Sequence, residues 1–112
     1  METRTYRLGA ELDPLIYQHR DEDGDIIDFS TGWTFTLGCA PVGGAALATG
    51  GFPKTTGITG TSTGIQVDWS TSTELAGLTG GNYDVQLRAR RTSDSRDLDL
   101  APVRLILKAS LV

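Results

Sequence analysis

Two segments set the fold class of this chain. In residues 33–39, Trp33, Phe35, Leu37 and Cys39 alternate with Thr34, Thr36 and Gly38, and in residues 82–91, Tyr83, Val85, Leu87 and Ala89 alternate with Asp84, Gln86, Arg88 and Arg90. A period of two gathers the apolar side chains on one face of an extended strand, whereas an amphipathic helix needs a period near 3.6. The seven residues from Trp33 reach roughly 23 Å when extended, enough to cross a small sandwich.

Weaker alternation marks further strands at residues 5–10 (Tyr6 and Leu8 on one face), 15–20 (Leu15 and Tyr17 opposite Ile16 and Gln18), 26–29, 55–59, 64–69 (Ile65, Val67 and Trp69 inward), 97–100 and 103–108. Punctuation falls between them. Asp21-Glu22-Asp23-Gly24-Asp25 reads as a hairpin turn with Gly24 at the position that takes a positive φ. Ser and Thr ahead of Glu74 offer an N-cap and Gly77 can close one helical turn, so residues 70–78 read as a short helical link. Residues 40–52 show neither period, and their glycines Gly43, Gly44, Gly50 and Gly51 mark a long flexible loop suited to contacts. Ala101-Pro102 interrupts the last strands where an edge or a bulge tolerates proline. The expectation is an all-β chain: an antiparallel, immunoglobulin-like β-sandwich of about seven to eight strands with one short helical turn. A small closed barrel is the alternative. With 112 residues there is room for one core, so residues 1–112 form one domain, with 1–5 and 109–112 as possible terminal arms.

Composition narrows the chemistry. One cysteine and one histidine exclude an internal disulfide, a Cys-rich zinc site or a multi-histidine metal site. Cys39 closes an apolar face and reads as a buried, inert thiol. A net charge of −4 argues against binding nucleic acid through a general positive field. No apolar run reaches the roughly 20 residues of a membrane span, and no signal-peptide core follows Met1; the chain is expected to be made in the cytoplasm, without export by that route and without a membrane partner.

The order Gly24-Asp25-Ile26-Ile27-Asp28-Phe29-Ser30-Thr31-Gly32-Trp33-Thr34-Phe35-Thr36-Leu37, then Gly64-Ile65-Gln66-Val67-Asp68-Trp69, then Leu75-Ala76-Gly77-Leu78-Thr79-Gly80-Gly81-Asn82-Tyr83-Asp84-Val85, resembles the immunoglobulin-like domain of tailed-phage virion proteins. It is similar to the N-terminal domain of baseplate upper proteins, over roughly residues 6–108. The resemblance implies a virion module: a minor tail or baseplate component, or a head (capsid) decoration protein. Its partners would be further copies of itself and other virion structural proteins.

Residue by residue, catalysis finds little footing. Asp21, Asp23 and Asp25 have the alternate spacing of a calcium loop, but Ile26 stands where that loop needs Gly and Gly32 where it needs Glu. His19 has no Gly-x-Ser-x-Gly elbow to serve, and the Gly-rich loop lacks the Lys-Ser/Thr of a phosphate cradle. The reading is a non-enzyme with no metal and no cofactor. Arg88, Arg90, Arg91, Arg96 and Arg104 fall on neighbouring strands and form a patch. It either pairs across the strands with Asp84, Asp97 and Asp99 or docks on an acidic neighbouring subunit. Nucleic acid is a poor partner for it, since no aromatic side chains interleave the arginines. Leu105, Ile106 and Leu107 through Leu111 and Val112 are apolar on both alternations. Leu105, Leu107, Leu111 and Val112 are therefore interface candidates, with residues 2–5 as a possible partner strand. A glycan or host-surface binding module is the reading from another class; it requires at least two coplanar exposed rings.

Overall fold

The computed structural model describes residues 2–7, 14–47, 52–69 and 80–108. Among them are eight strands and no helix: β1 (Glu2–Arg7), β2 (Leu15–Tyr17), β3 (Trp33–Pro41), β4 (Ile58–Thr61), β5 (Gly64–Val67), β6 (Gly81–Arg91), β7 (Arg96–Asp99) and β8 (Val103–Lys108). The helical link expected at residues 70–78 lies outside the described residues. One sheet has the order β1-β8-β6-β3 with β7 also on β6; the other has the order β2-β5-β4. β1 runs parallel to β8, and every other pairing is antiparallel.

The alternation legible in the sequence is what packs the two sheets. Leu37 and Cys39 on β3, Val85, Leu87 and Ala89 on β6, and Val103, Leu105 and Leu107 on β8 are buried in one cluster with Leu15 and Tyr17 of β2, Ile65 and Val67 of β5, and Trp69. A single shared core of this kind holds two sheets face to face. Trp69 is fully enclosed, whereas Trp33 and Phe35 are only partly buried. Burial at β2 pushes the Tyr17 phenol well above its ordinary value.

β6 is the longest strand, and its partner on one side is composite. Arg88 faces Asp99 on β7, and Val85 faces Val103 on β8. Between those pairs β6 spends two residues, Gln86 and Leu87, while the opposite chain spends three, Leu100, Ala101 and Pro102. One extra residue on one side is a β-bulge, and it sits where the proline, lacking an N–H, removes nothing from the ladder. Leu100 still donates to Leu87 O at 2.9 Å, and Gln86 Nε2 donates to Leu100 O at 3.3 Å.

Several elements differ from the periodic reading. β1 begins at Glu2, because its partner β8 runs alongside from Val103 to Lys108. β2 stops at Tyr17, and residues 26–29 form no strand: Ile26 bridges only Arg20, and Phe29 turns into the core while its N–H donates to Thr61 O at 2.9 Å. The first β4–β5 arm starts later than expected, at Ile58, with Ser62 and Thr63 at the turn. The loop after β3 is tied down over its described part: Val42 N–H donates to Asn82 O at 3.1 Å, Gly44 to Pro41 O at 2.8 Å and Leu47 to Cys39 O at 2.8 Å. Beyond it Phe52 is buried, and Lys54 exchanges two backbone hydrogen bonds of 2.8 Å with Leu37, which closes part of the outer edge of β3.

Gly60 is where the second sheet meets the backbone of the loop before β3, at Phe29. A Cβ there would fall on the carbonyl of Phe29 and within 2.9 Å of the Phe35 ring, and that carbonyl cannot retreat without straining the Phe29–Thr61 hydrogen bond. Gly60→Ala should lower the unfolding free energy by about 2–4 kcal/mol. Gly38→Ala, whose new Cβ meets nothing nearer than Gln86 O at 4.0 Å, should stay within about 1 kcal/mol. Urea unfolding of the two variants measures the contrast.

Candidate functional site

The outer face of the larger sheet carries the arginines. Register puts Arg88 opposite Asp99, Arg90 opposite Asp97 and Arg104 opposite Asp84, and each pair closes as a two-pronged contact. Arg88 reaches Asp99 at 2.7 and 3.1 Å, Arg90 reaches Asp97 at 2.7 and 3.1 Å, and Arg104 reaches Asp84 at 2.9 and 3.4 Å. The planar guanidinium matches a carboxylate edge in this geometry. Of the two readings of the patch, cross-strand pairing is the one these three arginines adopt. The hydrogen bonds from Arg90 and Arg88 hold the Asp97 and Asp99 carboxyls below the usual carboxylate range, and the aspartates in turn raise Arg88, Arg90 and Arg104.

Arg91 and Arg96 behave differently. They face each other across the end of the β6–β7 hairpin, on the face opposite the ladder. Arg91 lies over the Trp33 ring at 5.6 Å with its Nε 3.5 Å from Asp94 Oδ1. Asp94 also accepts the Arg96 backbone N–H at 3.2 Å, so one carboxylate serves both sides of a like-charged pair. Beside them opens a groove of about 450 Å³ between the loop after β2 and β7, with Trp33, Ile27 and Leu98 among its lining. The sequence showed Trp33 as an inward residue of a regular strand; its position at the strand end leaves it half-buried and available to this groove. A second trough, of about 620 Å³, runs along the ladder over Thr34, Thr36 and Gly38, with Ala46 and Pro53 at its rim.

The remaining interface candidates separate. Leu105 and Leu107 are in the core, at 0% and 2% exposure. β8 lies between β1 and β6 rather than at an edge, so its backbone is paired on both sides within the chain, while Ile106 on its other face is half-buried. β1, which includes the residues 2–5 read as a partner strand, is one of those two neighbours. Gly43 and Gly44 sit on the exposed turn after β3, Gly43 with φ +79°. Gly50, Gly51, Leu111 and Val112 lie outside the described residues.

The acidic loop is a turn held by its own side chain. Asp21 Oδ1 accepts the backbone N–H groups of Asp23 and Asp25, both at 3.0 Å, and Gly24 takes φ +85°. Among the described residues no three His, Cys, Asp or Glu side chains come together as a cation would need. No hydroxyl or thiol among them is hydrogen-bonded to His19, whose carbonyl accepts Ile27 N–H at 2.9 Å. Lys54, buried at 2% exposure with its ammonium 5.7 Å from the Trp69 ring, is a residue that sequence reasoning missed. The only signal was Phe52-Pro53 before it, a short apolar break in a polar stretch. Burial, with Asp84 adding to it, pushes the Cys39 thiol up to about 11.

No protein-family model, curated protein or solved structure matches the chain.

Two measurements follow from these environments. Because Asp97 and Asp99 are depressed on folding, the stability they contribute is present above their unfolded value of about 3.9 and disappears as pH falls through the lower folded values. NMR titration should place both carboxyls below that value, with β6–β7 amide protection lost only at more acid pH. For Cys39, the thiolate is the reactive form. A disulfide reagent at pH 8 should modify the folded protein at least about a hundredfold more slowly than the urea-unfolded chain.

Proposed function

We propose that this chain is an immunoglobulin-like, non-enzymatic structural component of a tailed-phage virion, in the tail or baseplate, working through symmetric protein–protein contacts. The observation that carries this reading is the strand order. In this reading β3, β6 and the composite β7–β8 strand take the places of strands C, F and G of an immunoglobulin sandwich, and β2, β5 and β4, in that order in the second sheet, those of B, E and D. β1 lies parallel to the last strand, as a leading strand of such a sandwich does when it crosses to the C–F–G sheet. The residue order from Gly24 to Val85 points to the same phage domain. Fold alone does not assign a function, and the second support is chemical: three arginine–aspartate pairs order the broad sheet face into a patterned surface suited to recognition by shape and charge. In an assembly with many copies, weak contacts of this kind add through multivalency.

The glycan-binding reading is disfavoured by the aromatic geometry. The Phe29 and Trp33 rings meet at 63° and the Phe29 and Phe35 rings at 66°, and Phe29 is buried, so this cluster offers no flat pair of rings to a sugar.

Quantitative mass spectrometry on purified particles, separated into heads and tails, tests the proposal. A few to tens of copies on tails is the expected result. Copies in the hundreds on heads would make the chain a decoration protein, and absence from both would reject the virion reading.

A further inference from the structure

The composite strand opposite β6 is covered unevenly. β1 lies along its β8 half, from Glu2 against Val103 to Arg7 against Lys108, and among the described residues no strand lies along the β7 half. Hydrogen-bond parity shows what that half presents. Leu100 donates to Leu87, so by the alternation of an antiparallel ladder the pairs Ala89–Leu98 and Arg91–Arg96 exchange the bonds with β6. Asp97 and Asp99 therefore turn their N–H and C=O groups away from β6, toward the open edge. The groove beside this edge has half-buried Trp33, Ile27 and Leu98 in its lining, with the charged Arg20, Asp21, Glu22, Arg91 and Arg96 around them, and its volume is that of a ligand cleft.

We propose that the free edge of β7 with this groove is a strand-addition site for an extended segment of a protein partner with the alternating pattern basic–apolar–basic. A strand laid on Asp97 and Asp99 has its alternate side chains on the ladder face, where the two carboxylates, held by Arg90 and Arg88 on the β6 side, keep lone pairs toward the edge, and the side chain between them over Leu98 and Trp33. Basic residues meet the first requirement and an apolar residue the second, and the pattern reads the same in either strand direction. A second copy is a poor occupant. Antiparallel pairing of β7 with itself across a two-fold axis keeps the sheet faces aligned, so every register that engages both aspartates sets Asp against Asp. The site is a property of the sheet edge and does not depend on where the chain works.

The test uses the full chain and a short peptide with blocked termini that alternates Lys and Val. Followed by amide and indole NMR, the peptide should give saturable shifts at Asp97, Asp99 and Trp33 at concentrations up to about 1 mM, with slowed hydrogen exchange at the two aspartate amides. Asp97→Pro deletes an edge donor without removing an N–H from the β6 ladder and should weaken binding at least about tenfold. A Glu–Val peptide, which leaves the protein unaltered, should bind more weakly by a similar factor. Absence of saturable binding, shifts centred elsewhere, or equal binding of the Glu–Val peptide would overturn the proposal. So would protection of the Asp97 and Asp99 amides that rises with protein concentration alone, since it would make the occupant a second copy.

Discussion

The eleven residues of β6 form backbone ladders with three other strands. On one side β3 follows β6 from Trp33 against Arg91 to Pro41 against Tyr83; on the other, β7 and β8 share its length around a bulge. Its inward residues Tyr83, Val85, Leu87 and Ala89 are all buried. Most of the remaining architecture is a consequence of this position. β1 belongs to the sheet only through β8, and the outer edge of β3 is joined by Lys54 at Leu37 because β6 holds the other side.

The bulge ties fold to surface chemistry. It shifts the register by one residue between the two halves, and each half still sets an arginine against an aspartate, with the order reversed: Arg88 and Arg90 stand on β6, whereas Asp84 stands on β6 and faces Arg104 on β8. The result is a polar sheet face whose charges are neutralised in pairs and oriented by the backbone. Exposed pairs of this kind add little to stability; what they fix is the direction in which side chains point. Held aspartates along the outer edge of β7 also guard against self-pairing.

The inward and outward faces of β3, β5 and β6 were legible in the sequence because alternation is local, whereas β8, apolar on both alternations, showed no single inward face. The turn at Gly24 and the irregularity at Ala101-Pro102 were legible for the same reason, since a positive φ or a missing N–H belongs to one residue. The arginine patch could be seen but not resolved, because whether Arg90 is spent depends on Asp97 lying across the hairpin. The groove beside β7 was not legible at all: Trp33, Ile27 and Leu98 belong to three segments, and each looks like an ordinary core residue in isolation.

By itself the sequence determined that this chain is all-β and, on its most regular strands, which side chains point inward. Those properties follow from the period of two and from residue types. Only the tertiary structure decided that Leu105 and Leu107 are core rather than interface, that Arg88, Arg90 and Arg104 are paired, and that among the described residues no strand lies along the outer edge of β7. The physical reason is that strand pairing is a relation between distant residues: Glu2 with Val103, Leu37 with Lys54, Thr36 with Arg88. No local pattern encodes which strand will lie beside which.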